Sequence, residues 1–173
     1  NVMAGILSFV LRFAFSVVLG IPCFIKDEMK EIICDKVGFS NREENRKLSI
    51  AAVQEMIHVF ERCAVSDLDL ILEANFHSEE MVFIKGLSER YGYDVTLLYL
   101  TCDKEVLYER FKARIPTRHK AHMSMGLDKD YEKFCSYIDG LRNDNYLFPM
   151  NVLDTTKLDE KSTLEEALNI IKK

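Results

Sequence analysis

Three polar residues of this sequence stand where an apolar strand of a parallel sheet would end. Asp27 follows the run at 22–26, and the run at 68–76 closes with Glu73 and Asn75. A carboxylate at such an edge can accept a proton from a hydroxyl group, and carboxylate and amide oxygens suit Mg²⁺. Each residue also has a structural interpretation. Asp27 would favour the first turn of a helix, and the other two would form hydrogen bonds at a strand end.

A second group with chemical potential is a series of arginines, Arg110, Arg114 and Arg118, which are spaced four apart around Pro116. Transfer of a phosphoryl group depends on stabilising negative charge, which guanidinium groups do well. Arg114 and Arg118 therefore indicate a lid, around residues 115–127, that closes over phosphates. For Arg110 we favour the alternative interpretation, a solvated helical face.

The stretch Gly5-Ile-Leu-Ser8 lies between a predicted strand and a predicted helix. A phosphate-binding loop of the pattern G-x-x-x-x-G-K-[ST] occupies this position, where its backbone N–H groups and lysine hold phosphates and its hydroxyl binds Mg²⁺. The second glycine and the lysine are absent, and the residues x-x-G-K between Leu7 and Ser8 would complete the pattern. Without them the stretch is typical of an ordinary turn, and we expect weak ATP binding.

Strand-like and helix-like segments alternate along the whole chain. The strand candidates are Val2–Ile6, Pro22–Lys26, Leu68–Phe76, Asp94–Cys102 and Met150–Asp154. The helix candidates are Ser8–Leu19, Asp27–Val37, Glu43–Val65, a segment from an N-cap at Ser78 to Gly92, Lys104–Ile115, Lys129–Leu141 and Thr163–Lys173. This order predicts one α/β domain over residues 1–173, a three-layer sandwich with a mostly parallel five-stranded sheet.

Composition narrows the possible partners and the compartment. The chain has 173 residues and a formal net charge of −5, and this acidic balance argues against extended binding of nucleic acid. Its five cysteines are scattered and show no C-x-x-C spacing. That pattern favours reduced thiols in a cytoplasmic protein over a disulfide framework or a zinc site.

The apolar segment at 2–25 is long enough to cross a bilayer, so a membrane-tethered α/β domain is one alternative. Against it, Arg12 would lie near the membrane centre, where a charge costs roughly 2.5–3.5 kcal/mol. Gly5, Gly20 and Pro22 also divide the segment into pieces of strand and helix length. We therefore favour a domain without a membrane anchor.

Five stretches, in order along the chain, resemble the P-loop kinases related to zeta toxin and chloramphenicol phosphotransferase. In that group a segment L-G-I-P-x-x-x-x-D-x-x-[KR] delivers an aspartate to the substrate hydroxyl. The stretches are LGIPCFIKDEMKE at 19–31, ILEANF at 71–76, YLTCD at 99–103, ERFKARIPTRH at 109–119 and VLDTT at 152–156. The resemblance covers nearly the whole chain and implies the P-loop kinase fold.

The resemblance implies an ATP-dependent phosphotransferase that acts on a hydroxyl of a small molecule. It implies catalytic roles for Asp27, as the base, and for Arg114 and Arg118. The other implied roles are substrate binding by Asn75 and Lys30, nucleotide binding by Gly5, Ser8, Asp154 and Thr156, and Mg²⁺ binding by Ser8 and Glu73. ATP and Mg²⁺ both require an intact phosphate loop. For the stretch at 154–156 a capping turn before the last helix is an equal alternative.

The incomplete phosphate loop leaves three explanations. Four residues are missing from the printed sequence, the loop is truly deleted, or the protein is an inactive kinase-fold protein retained for binding. The gap has the shape of the motif itself, so we favour missing residues.

The intact mass of the protein from its native source separates these explanations. We expect a mass four residues above that of the printed chain, because the phosphate loop would then be complete. A mass equal to that of the printed chain contradicts this expectation and favours a ligand-binding or degenerate protein.

Overall fold

The computed structural model describes residues 16–142 and 145–171. The strands are β1 (Cys23–Ile25), β2 (Ile71–Glu73), β3 (Leu97–Thr101) and β4 (Met150–Asp154). The helices are α1 (Lys26–Val37), α2 (Arg42–Val65), α3 (Ser78–Tyr91), α4 (Lys104–Arg114), α5 (Tyr131–Arg142) and α6 (Glu160–Ile171). Residues 16–19 are also helical, and single 3₁₀ turns occur at Ile115–Thr117 and Leu127–Lys129.

The helix boundaries follow from local side-chain chemistry. Asn41 caps α2, since its Oδ1 accepts a hydrogen bond from the backbone N–H of Glu44 at 3.0 Å. Gly92 ends α3 at φ +70°, a left-handed conformation that glycine adopts without steric cost. The predicted N-cap of α3 is wrong by one residue. His77 holds that position, and Ser78 Oγ instead accepts a hydrogen bond from Asn145 N.

All strand pairing among the described residues is parallel. β1 pairs with β2 and β3 pairs with β4, and Ile25 lies opposite Glu73 in the first pair. The parallel arrangement agrees with the prediction, because strands that alternate with helices are joined by crossovers.

The prediction of a single five-stranded sheet is wrong for the described residues, which form two separate two-stranded sheets. One reason is that the apolar runs are longer than the ladders they form. Of the run 68–76 only Ile71–Glu73 pairs, and the chain at Asp67 is still in a turn with φ +56°. The predicted strand Val2–Ile6 lies outside the described residues, as do Gly5 and Ser8.

Apolar side chains cover both faces of the strands. Ile71 and Leu72 are neighbours in β2 and point to opposite faces. Leu72 packs in a cluster with Phe60 of α2 and Ile84 of α3, while Ile71 packs with side chains of β3, β4 and α6. This places helices on both sides of the strands and leaves the strand ends as the place for polar side chains.

No helix in the described ranges has both the length and the apolar character needed to cross a bilayer. Most of the segment 2–25 lies outside those ranges.

Candidate active site

Asp27 lies in the first turn of α1, directly after β1 ends at Ile25. Its carboxylate is 41% exposed, and its Oδ1 is 3.2 Å from Lys26 Nζ. Because Asp27 comes just after the last residue of β1, its carboxylate lies at the carboxyl end of the parallel pair, where ligands of open α/β sheets bind.

A polar cavity of about 180 Å³ brings the three predicted catalytic residues together. Arg114 and Arg118 reach it from the end of α4 and the segment after it, and Asp27 reaches it from α1. Both arginines are far from Asp27 in sequence, so only the fold makes them neighbours. The cavity is lined by Asp27, Glu31, Arg114, Thr117, Arg118, His119 and His122.

Arg118 is the more enclosed of the two arginines. Burial, and after it the charge of Arg114, lowers the pKa of Arg118, whereas Asp27 raises it. Its guanidinium carbon lies 5.3 Å from the centre of the Phe111 ring, a cation–π distance. An arginine stays charged in proteins, so a partly desolvated Arg118 presents a strong positive field to the cavity.

His122 was predicted only as a lid residue, but the structure places it between two acidic side chains. Its Nε2 lies 2.7 Å from Glu31 Oε1 and its Nδ1 lies 3.9 Å from Asp27 Oδ2. The side chain is 10% exposed, and this burial lowers the pKa of His122, although Asp27 and Glu31 oppose the shift. A neutral His122 therefore donates Nε2–H to Glu31 and turns its unprotonated Nδ1 towards Asp27.

Next to it, His119 and Lys120 bind a third acidic residue of α1. His119 Nε2 and Lys120 Nζ lie 3.2 Å and 3.0 Å from Asp35 Oδ1. The backbone N–H of Ala121 donates to His119 Nδ1, so Nε2 carries the proton that His119 donates to Asp35. The acidic repeat 27, 31, 35 on one helix face was a signal in the sequence that could have located this contact.

Lys30 was predicted to bind substrate, and the structure gives it an internal role. It is buried at 7% exposure, and its Nζ donates to Asn45 Oδ1 and to the Ala121 carbonyl, both at 2.9 Å. Asn45 Nδ2 donates to the same carbonyl at 3.0 Å. These bonds tie the segment 115–127 to α1 and α2. Substrate binding by Lys30 stays a prediction.

Glu73 and Asn75 differ in their surroundings. Glu73 ends β2 and is 5% exposed, whereas Asn75 lies outside the ladder and is exposed. Because β2 ends at Glu73, the alternation of a strand does not relate the direction of the Asn75 side chain to that of Glu73. Glu73 lies opposite Ile25, close along the chain to Asp27.

The described residues contain no group of three acidic, histidine or cysteine side chains arranged to hold a metal ion. Mg²⁺ usually takes only one or two carboxylates and completes its shell with water and substrate phosphates. The single carboxylate of Glu73 therefore fits an Mg²⁺ that arrives with a nucleotide.

The residues predicted to shape the nucleotide site form a tight turn after β4. Asp154 Oδ1 accepts hydrogen bonds from Thr156 N and Thr156 Oγ1 at 2.8 and 2.6 Å, and these bonds lower the pKa of Asp154. Thr156 Oγ1 also accepts from Asp103 N. Because Asp159 accepts from Ser162 N in the first turn of α6, the stretch at 154–156 is not that helix's cap.

Arg110 is exposed, as the solvated face favoured for it from the sequence requires, and it also holds this turn in place. Its two terminal nitrogens donate to Cys102 Sγ, Thr155 Oγ1 and the Thr155 carbonyl. Arg142 adds a bond of 2.7 Å to the Cys102 carbonyl. No spacing in the sequence pairs Arg110 with a turn some 45 residues away.

Solved structures with a similar fold identify the architecture, whereas no protein-family model and no curated protein matches the chain. A protein of Chloroflexus aurantiacus aligns with a TM-score of 0.74 and 21% identity over 98% of this chain and 97% of its own. A sugar kinase of a Janibacter species aligns with a TM-score of 0.62 and 15% identity, over 99% of this chain and 92% of its own. Shikimate kinase of Bacteroides thetaiotaomicron aligns with a TM-score of 0.60 and 14% identity, over 99% of this chain and 97% of its own. The chain therefore has an α/β kinase-like fold.

The buried state of His122 predicts a pH dependence of stability. Its folded pKa lies below the ordinary 6.5, so its contribution to stability is complete above that value and is lost as the pH falls through the folded pKa. Between about pH 7.5 and about pH 5.5, we expect His122→Gln to lose less free energy of unfolding than the unmodified chain does. Urea denaturation at both pH values measures this. His58→Gln, at an exposed position of α2, is the matched control. Equal pH slopes for the two variants would contradict the assignment.

The Lys30 contact predicts a loss of stability on truncation. Lys30→Met leaves Asn45 Oδ1 without its lysine donor and weakens the tie to Ala121, so we expect a cost of about 1–3 kcal/mol in the free energy of unfolding. Lys36→Met, at an exposed position of the same helix, should change it by no more than about 0.5 kcal/mol. If both variants unfold at the same urea concentration, Lys30 does not hold the segment.

Proposed function

We propose that this protein is a phosphotransferase that moves the γ-phosphate of ATP to a hydroxyl of a small molecule. The observation that carries the proposal is the polar cavity, in which Asp27, Arg114 and Arg118 converge at the carboxyl end of β1. A general base and two cations around one cavity are what phosphoryl transfer to a hydroxyl requires. The kinase fold of the chain supports the same class of reaction.

Asp27 is the base of the proposed reaction. The acceptor hydroxyl would lie within about 2.6–3.2 Å of its carboxylate. As the hydroxyl oxygen forms its bond to the γ-phosphorus, the bond between that phosphorus and the β–γ bridging oxygen breaks. The proton passes to Asp27 and ADP leaves. Burial lowers the pKa of His122, which disfavours a second positive charge beside this carboxylate.

Arg114 and Arg118 stabilise the charge of the phosphoryl group during transfer. Arg118 is the better placed for this, since it is already partly desolvated and held against Phe111. A desolvated cation that is fixed before the reaction costs little reorganisation when charge develops. Arg114, which is exposed at the end of α4, would complete the pair when phosphates bind.

The nucleotide side of the site has its own residues. The turn at Asp154–Thr156 would contact the adenine of the nucleotide. Glu73 would lie near the metal, and Asn75 near the acceptor. Mg²⁺, when bound, neutralises phosphate charge and orients the γ-phosphate. Gly5 and Ser8, which the sequence predicts for the phosphates and the metal, belong to the incomplete phosphate loop.

Asp27→Asn is the direct test of this proposal. The variant is made in a chain whose loop is completed by Ser-Ser-Gly-Lys between Leu7 and Ser8, and transfer from labelled ATP is measured with a panel of sugars, nucleosides and nucleotide-sugars. We expect kcat to fall by about 10²–10⁴-fold, because an amide cannot accept the proton. Glu28→Gln, an exposed neighbour in α1, should keep the rate. An unchanged rate in Asp27→Asn would show that Asp27 is not the base.

A binding protein without transfer activity is the second candidate, and the missing glycine and lysine of the loop favour it. Comparison of the printed chain with the completed chain decides between the two. Transfer by the completed chain alone supports an inactive kinase-fold protein if the native mass equals that of the printed chain, and it supports the phosphotransferase if the native mass is four residues higher. Transfer by neither form, with intact folding, contradicts the phosphotransferase proposal.

A further inference from the structure

A second cavity, larger than the polar one, lies under the other half of the segment 115–127. Its volume is about 340 Å³, which is within the range of about 300–1,000 Å³ typical of small-molecule pockets. The start of α2, the turn before α5 and one face of α5 enclose it. It is lined by Arg42, Met123, Met125, Leu127, Lys133 and Tyr137.

The lining combines apolar surface with positive charge. Met123 and Met125 are 46% and 38% exposed, which is high for large apolar side chains. Methionine adapts its shape to irregular ligands and is frequent at binding surfaces. Among the described residues that line this cavity, both charged side chains, Arg42 and Lys133, are cations. An apolar ligand that also carries a negative charge would complement both features.

One of these methionines has a strained backbone conformation at the cavity. Met125 has φ +55°, a left-handed conformation that costs about 1–3 kcal/mol in a residue other than glycine. Gly126 follows at φ +74°, and Lys133 Nζ donates to the Met125 carbonyl at 2.8 Å. Strain that the surroundings maintain in this way is common at ligand sites. The hydrogen bond from Lys133 helps to keep Met125 in the lining of the cavity.

The second cavity is close to the proposed reaction centre. His122 lines the polar cavity and Met123, the next residue, lines the second one. The hydroxyl of Tyr137 lies within electrostatic range of both Arg118 and Asp27, although its side chain lines the second cavity. A molecule that reached both Asp27 and the second cavity would pass near Tyr137.

We infer that the second cavity is the acceptor's specificity site and that it takes an apolar group bearing an anionic substituent. The inference rests on the proposed function. The acceptor hydroxyl lies at Asp27, the apolar group packs on Met123 and Met125, and the anionic substituent pairs with Arg42 and Lys133. A small polar sugar alone would leave the methionine surface uncovered.

The probe that tests this site is 1-anilinonaphthalene-8-sulfonate, an apolar anion whose fluorescence rises on binding. Its uncharged counterpart N-phenyl-1-naphthylamine has the same rings without the sulfonate. We expect the full chain to bind one molecule of the anion and to bind it more tightly than the uncharged compound. Arg42→Met should weaken binding of the anion by about tenfold or more and leave binding of the uncharged compound unchanged.

Two controls separate this site from unspecific adsorption. Lys129→Met removes an exposed cation of the 3₁₀ turn Leu127–Lys129, and Met150→Gln removes an exposed methionine of β4. Neither variant should alter binding of the probes, whereas Met123→Gln should weaken binding of both probes several-fold. Circular dichroism checks that each variant is folded. If Arg42→Met matches Lys129→Met, or Met123→Gln matches Met150→Gln, the inference is overturned.

The outcome can be told apart from failure of the proposed function. Asp27→Asn should abolish transfer and leave probe binding intact, because Asp27 does not line the second cavity. An acceptor found by its phosphorylation should displace the probe and show a raised KM with a retained kcat in Arg42→Met. An acceptor that is phosphorylated without displacing the probe overturns the inference alone. Probe binding without any transfer by the chain with a completed loop overturns the proposed function alone.

Discussion

The site depends on one buried contact, the Ala121 carbonyl that receives hydrogen bonds from both Lys30 Nζ and Asn45 Nδ2. An ammonium group that loses most of its water on folding must find partners, and Asn45 and Ala121 supply them. The contact joins α1, α2 and the segment 115–127 at one point. His119 and His122, on either side of Ala121, line the polar cavity, and the apolar cavity begins at Met123.

Hydrogen bonds and an ion pair between side chains extend this contact along α1. Three acidic residues of one helix face, Asp27, Glu31 and Asp35, meet the histidines and the lysine of residues 119–122. Asp27 also lies near Arg118, so it takes part both in these contacts with residues 119–122 and in the proposed reaction centre. The same side chain therefore helps to position the segment and faces the positive charge of Arg118.

The two halves of the proposed site are built by different means. The acceptor half is a set of helices and a segment joined by buried polar bonds. The nucleotide half is a turn after β4 that Arg110 and Thr156 tie to the end of β3. A guanidinium group can make several such bonds in fixed directions, which suits it to hold a turn. In this kinase-like fold the two halves of the proposed site thus follow the carboxyl ends of two different strand pairs, where ligands of open α/β sheets commonly bind.

The sequence by itself determined the order of strands and helices, the parallel pairing, and the place of Asp27 after a strand and of Arg114 at the end of a helix. These features follow from local periodicity and from residues close together in the chain. The tertiary structure alone decided that Lys30 is internal, that His122 lies between Glu31 and Asp27, that Arg110 holds a turn, and that the apolar cavity exists. Each of these depends on partners far apart in sequence, 91 residues for Lys30 and Ala121. Local patterns carry no signal for such contacts, because the packing of whole elements decides which distant side chains meet.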